Sequence, residues 1–141
     1  VLIEVDPGAE VPLYQQIRDR LVEAIAAGAL RPGEALSSVR ALAGAFGINV
    51  ATVSKAYDAL RRDGFIRTSS KSGSVVARGP GSGDPAPPVV ADWSTRVRTL
   101  LAEGLAQGMD PADVVARCHA EVGEFVRRQG AAGAGQPERE R

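Results

Sequence analysis

One stretch of this chain leaves few folds open to it. Leu36-Ser37-Ser38-Val39-Arg40-Ala41-Leu42-Ala43 is followed by Phe46-Gly47-Ile48-Asn49, then by Thr52-Val53-Ser54-Lys55-Ala56-Tyr57 and Leu60. The spacing of Val39, Leu42, Ala43 and Phe46 predicts a helix near 38–46 with an inward face, and Ser37 is placed to cap it. Gly47 then ends that helix as a left-handed glycine does. Asn49 opens the next one, because its side-chain oxygen can accept from the N–H groups of Ala51 or Thr52. Val53, Ala56, Tyr57 and Leu60 form the buried stripe of this third helix, which Gly64 stops. Ala51, Thr52, Ser54, Lys55, Asp58, Arg61 and Arg62 remain for its outer surface. Residues 65–68 and 74–77 follow as two short strands around a Lys71-Ser72-Gly73 tip.

The flanks extend this unit on both sides. Leu2-Ile3-Glu4-Val5 is expected as a short strand ended by Asp6-Pro7-Gly8. Pro12 sits where a helix can begin, since a first-turn proline loses no hydrogen bond. Leu13, Ile17, Leu21 and Ile25 recur at helical spacing up to Gly28, which predicts a helix near 12–27, and Arg31-Pro32-Gly33 reverses the chain. Residues 1–78 therefore form one domain. Residues 79–89 are rich in glycine and proline and have no periodicity, as a linker does. Trp93, Val97, Leu100, Leu101 and Leu105 mark a helix near 90–107. A second, capped by Asp110 with Pro111 at its first position, carries Val114, Val115, Cys118, Val122, Phe125 and Val126, so 90–129 is a helical region. Residues 130–141 have the composition of a disordered tail. The expected fold class is mainly α with a small β-hairpin.

Charge separates the two halves. Residues 37–78 hold seven Lys and Arg against two Asp, whereas 79–141 hold seven basic and nine acidic side chains. A basic segment in a chain with no net charge is what a partial contact with a polyanion requires. Solvated charged faces would give the same tally. The single cysteine excludes an internal disulfide and suits a reducing cytoplasm. No apolar run reaches membrane-spanning length and no export signal is visible, so a soluble cytoplasmic location is expected. Catalytic chemistry is poorly served. Cys118 and His119 point about 100° apart on a helix and have no third partner at a sensible spacing. The glycines at 79–83 lack the context and the Lys-Ser/Thr of a phosphate loop. No enzyme activity, metal or cofactor is expected.

From Pro12 to Val76 the chain resembles the winged helix-turn-helix domain of the GntR transcription regulators. The resemblance is carried by Pro12-Leu13-Tyr14-Gln15-Gln16-Ile17, Gly28, Pro32-Gly33, Leu36 through Arg40, Thr52 through Tyr57, Gly64-Phe65-Ile66 and the Gly73-Ser74-Val75-Val76 wing. The short remainder resembles the C-terminal extension of the YtrA subfamily. The chain departs from the family pattern at Ser37, where proline is usual, and at Val50, where proline or a polar residue is common.

A helix N-terminus offers free N–H groups and partial positive charge to phosphate oxygens. That makes the third helix the recognition helix, with Asn49, Val50, Ala51, Thr52, Ser54 and Lys55 at its reading end. The resemblance implies a base contact for Arg40, and arginine can donate two bonds to guanine. Ser38, Thr52 and Lys55 are expected on phosphate, and Lys71, Ser72 and Gly73 at the backbone or minor groove. Thr52 would equally serve as a helix-start residue, while Tyr57 is expected in the core. The C-terminal stripes expose more apolar surface than two helices hide against each other. Trp93, Val97, Leu100, Leu101, Val115, Cys118, Val122 and Phe125 are therefore expected to dimerise, which would put two reading heads on an imperfect inverted repeat. The expected function is a homodimeric repressor on a double-stranded DNA operator. Two alternatives stay open. One is a winged-helix protein interaction module, and the other a regulator sensing an unknown small-molecule effector among Trp93, Met109, Cys118 and Phe125.

Overall fold

The computed structural model describes residues 3–71 and 73–134. They form two compact units, one of residues 3–81 with 128–134 and the other of 82–127. The first unit holds α1 (Leu13–Ala26), α2 (Val39–Phe46), α3 (Val50–Arg62) and an antiparallel pair of strands, β1 (Ile66–Ser69) and β2 (Gly73–Val76). Its core is a single cluster in which Ile17, Leu21 and Ile25 of α1 meet Val53, Ala56, Tyr57 and Leu60 of α3, with Ala43, Ile66 and Val76. Tyr57, Ile17, Leu60, Val53 and Val76 are its largest fully buried side chains. Each such burial contributes roughly 1.5–3 kcal/mol. The 3.6-residue stripes seen in the sequence are thus the surfaces that meet.

Three local expectations are corrected and a fourth is extended. Residues 3–6 form no strand, although Ile3 is buried, and Leu2 lies outside the described residues. The polar groups there are taken by a side chain instead. Gln16 accepts from the Asp6 N–H at 2.7 Å and donates to the Asp6 and Val11 carbonyls, each at 2.8 Å. The cap of α2 is Ser38 rather than Ser37, and its Oγ accepts from the Ala41 N–H at 3.1 Å. The strands run one residue nearer the tip at both ends, in the register Ile66↔Val76 to Ser69↔Gly73. Phe65 and Ala77 still bond at 2.8 Å just beyond them. Finally, the reversal at Pro32-Gly33 does more than turn the chain. Gly33 N–H donates to Val76 O, Val76 N–H to Glu34 O and Leu36 N–H to Ser74 O, at 2.8–2.9 Å, so residues 33–36 line β2 as a third edge.

In the second unit, α4 (Pro87–Ala106) begins three residues earlier than expected, which ends the linker at Ala86. Pro87 and Pro88 fall in the first turn, where a missing N–H has no helical partner to lose. Gly108 makes the turn to α5 (Pro111–Ala134), and Gly104 lies against Met109 and Val114. Not one described residue from 82 to 127 is buried.

The tail expected from residue 130 is also corrected, since α5 stays helical through Ala134; residues 135–141 lie outside the described set. Its last turns have partners. Gln129 donates to the Ala26 carbonyl at 2.8 Å, and the Ala132 methyl and Gln129 backbone lie beside Gly28. Gly28 has φ +77°, a conformation that suits glycine. Among the described residues, no helix is long and apolar enough to cross a membrane.

Burial of the Tyr57 phenol raises its pKa above the ordinary 10.0. A raised folded-state pKa contributes stability that is complete below the unfolded value and lost as pH rises through the folded one. The protein should therefore lose stability as pH climbs past 10.0, and Tyr57→Phe should flatten that alkaline loss. Urea unfolding between pH 8 and 11 checks both.

Candidate nucleic-acid interface

Two helix starts and one hairpin tip carry the residues singled out in the sequence. Between α2 and α3 lie Gly47, Ile48 and Asn49. Gly47 adopts φ 65°, and the Ile48 N–H returns to the Ala43 carbonyl at 3.0 Å, closing α2 with a left-handed cap. Asn49 then turns the chain into α3, its Oδ1 accepting from the Ala51 N–H at 2.8 Å. The cap uses the oxygen and leaves the amide NH2 with two donors. Val50, Ala51 and Lys55 are exposed in this first part of α3. Thr52 and Ser54, expected on the outer surface, are only half-exposed.

Ser38 and Arg40 open α2, and both are exposed. The Ser38 oxygen serves as cap, so its hydroxyl hydrogen remains available to an acceptor. At the hairpin, Lys71 and Gly73 are exposed, Gly73 with φ +66°. Ser72 lies outside the described residues. α1, α2 and β1 each pack on α3, which ties the two helix starts and the strand leading to the tip to one helix.

The charges divide into those already engaged and those that are not. Arg61 is held by Asp58 and by the Thr68 hydroxyl, and Arg62 approaches Asp63 at 3.8 Å. Arg18 of α1 takes the other Asp63 oxygen at 3.1 Å. Both acidic residues of the basic segment are thereby used. Arg40, Lys71 and Arg67 make no ion pair among the described residues. Exposed Arg67 on β1 was not among the expected site residues. Lys55 has an aromatic partner that linear spacing conceals, its Nζ lying 4.1 Å from the centre of the Tyr14 ring. Tyr57 is core, as its place in the buried stripe implies, and its hydroxyl donates to the Ser37 carbonyl at 2.6 Å.

The residues expected to dimerise are all on α4 and α5, and none of them is buried. Trp93, Leu100, Val115 and Val122 are each more than half exposed, while Val97, Leu101 and Phe125 are half-buried. Trp93, Val97, Leu101 and Leu105 line an open groove of about 580 Å³ on α4. Of the residues expected around a small-molecule effector, Trp93 lines this groove, and Met109, Cys118 and Phe125 are not among its lining residues. Cys118 is exposed, and among the described residues no three His, Cys, Asp or Glu side chains gather as metal ligands would.

Three helices, a glycine turn and a β-hairpin in this order define a winged helix-turn-helix protein. The model of the bacterial regulatory proteins of the gntR family matches residues 13–76. The HTH-type transcriptional repressor YtrA of Bacillus subtilis is 40% identical over 76 residues, which cover 54% of this chain and 58% of that protein. The match thus spans little more than half of that relative's length. The solved structure of YtrA from Sulfolobus acidocaldarius, a GntR-family transcription factor, is 35% identical with a TM-score of 0.59, over 75% of this chain and 99% of that one. A transcriptional antiterminator from Listeria monocytogenes shares the fold, with a TM-score of 0.80 over 89% of this chain and 93% of that one at 24% identity. This chain belongs to the GntR family of DNA-binding transcription regulators, in its YtrA-like branch.

The cap of α3 can be tested apart from any ligand. Asn49→Ala should lower stability by about 1 kcal/mol, while Asn49→Asp keeps the accepting oxygen and most of the stability. Thermal unfolding of the two variants side by side checks this.

Proposed function

We propose that this chain is a sequence-specific transcription repressor that binds an imperfect inverted repeat in double-stranded DNA as a homodimer. The observation that carries the reading is the exposed N-terminal turn of α3, capped by Asn49, together with Arg40 exposed and without an acidic partner among the described residues. Helix N–H groups and partial positive charge at that turn suit a phosphate or a base edge. Arg40 has the fork geometry to bond guanine through two donors. Ser38, Thr52, Ser54 and Lys55 hold polar or charged groups at the two helix starts and serve phosphate contacts. Lys55 keeps its ammonium on the Tyr14 face, which limits its wandering before DNA arrives. Val50 and Ala51 offer small apolar contacts of the kind a thymine methyl accepts. Lys71 and Gly73 at the tip serve the backbone or minor groove, and Arg67 on β1 adds a cation. Repression is supported by the relative named a repressor.

Dimerisation is supported by the second unit. A two-helix unit with no buried residue, and with Trp93, Leu100, Val115 and Val122 largely in water, lacks the core that stability requires. A second copy can cover Trp93, Val97, Leu100 and Leu101 on α4 and Val115, Cys118, Val122 and Phe125 on α5. A symmetric pair would present two heads to the two halves of the repeat.

Arg40→Ala should weaken binding to the preferred duplex by about 1–3 kcal/mol and relax the preference at one base pair. Lys71→Ala should weaken all duplexes alike and reduce the salt slope by about one. Anisotropy titrations across a salt series separate the two, and an unchanged affinity and preference for Arg40→Ala would remove it from base reading. In sedimentation at micromolar concentration the chain should run as a dimer, and Leu100→Asp with Val122→Asp should run as a monomer. A wild-type monomer would contradict the dimer.

A further inference from the structure

Tyr57 holds a buried polar group that neither the core nor the reading residues account for. Its ring is 1% exposed, yet its hydroxyl reaches the carbonyl of exposed Ser37 at 2.6 Å, across 20 positions of sequence. The acceptor lies in the short connection that delivers the chain into α2. Leu36 on one side is tied to Ser74 of β2 at 2.8 Å, and Ser38 on the other is tied to α2 by its own cap and by the Leu42 N–H at 2.9 Å. Ser37 between them has no backbone hydrogen bond among the described residues besides the one from Tyr57. Close packing does not replace it. Ser37 is exposed, and a pocket of about 110 Å³ that opens to solvent lies against this connection, lined by Leu36, Ser37, Leu42 and Tyr57 with Ile3 and Leu30 among its other walls. With water rather than packed side chains on that side, the directed bond is the contact that holds the Ser37 carbonyl.

We infer that Tyr57 is a positioning residue for sequence reading, whose phenol on α3 fixes the peptide that opens α2 and with it Ser38 and Arg40. The inference rests on the proposed function. A two-donor contact from arginine to guanine tolerates little displacement, whereas attraction of lysine to phosphate falls off gently with distance. Loosening Ser37 therefore degrades discrimination before it degrades general affinity. The recognition helix and the helix before it are held in register by one hydrogen bond as well as by their apolar faces.

The test compares affinity for a preferred duplex with that for a scrambled duplex of equal length, with the full chain at one salt concentration. Tyr57→Phe keeps the ring in the core and returns an exposed carbonyl to water, so the variant should fold, which thermal unfolding verifies. It should lose roughly five- to tenfold in affinity for the preferred duplex and nothing for the scrambled one. In an Arg40→Ala background the same change should have no further effect on preference, because Tyr57 acts through Arg40. Unchanged preference in folded Tyr57→Phe, or an undiminished loss in the Arg40→Ala background, would each overturn the inference. Loss of preference in Arg40→Ala but not in Tyr57→Phe would overturn it while leaving the proposed function standing. A wild type without any preference would overturn both.

Discussion

The buried face of α3 is the surface on which the first unit is built. Val53, Ala56, Tyr57 and Leu60 are all but sealed from water, and α1, α2 and β1 each pack on that helix. Apolar area removed from water there contributes most of the favourable free energy of this unit. The same helix must leave its first turn in solvent. It does so because its apolar stripe begins at Val53, one turn after the Asn49 cap, so that Val50 and Ala51 stay outside. One helix therefore anchors the fold with its middle and keeps its start in solvent, where the proposed reading places the DNA.

Electrostatics follows the same division. Asp58 and Asp63 are the acidic residues of the basic segment, and both are spent on arginines that do not open a helix. Arg40 and Lys71, near a helix start and a hairpin tip, are left without such partners among the described residues. Surface ion pairs of this kind contribute little to stability. Their larger effect is on where positive charge remains available, which is a property of the interface rather than of the fold. Lys55 is an intermediate case, steered by an aromatic face that leaves its charge intact.

Much of this was legible in the chain itself. Gly47 and Asn49 have local chemistry that leaves few alternatives, and the stripes at Ile17, Leu21, Ile25 and at Val53, Ala56, Tyr57, Leu60 share one core as their spacing predicts. What was missed depended on partners far away in sequence. Ser37 and Ser38 are chemically identical as caps, and the choice falls to Ser38 in a connection where the Ser37 carbonyl is held by Tyr57. Leu2–Val5 has the pattern of a strand, but residues 3–5 form none, and the neighbouring backbone at Asp6 and Val11 is held by the Gln16 amide rather than by a second strand. Residues 130–134 have the composition of a tail, and the contacts of Gln129 and Ala132 with the end of α1 accompany their helical form. Of the interface, the helix starts and hairpin tip followed from local signals, whereas the Tyr14–Lys55 stack and the engagement of Arg61 did not.

Two copies of one reading head should address two related half-sites on DNA. Selection of duplexes from a random pool by the purified chain, followed by sequencing, reads this out. An imperfect inverted repeat whose halves are about one helical turn apart should be enriched. Enrichment of no sequence, or of a solitary half-site with no symmetric partner, would refute the paired reading.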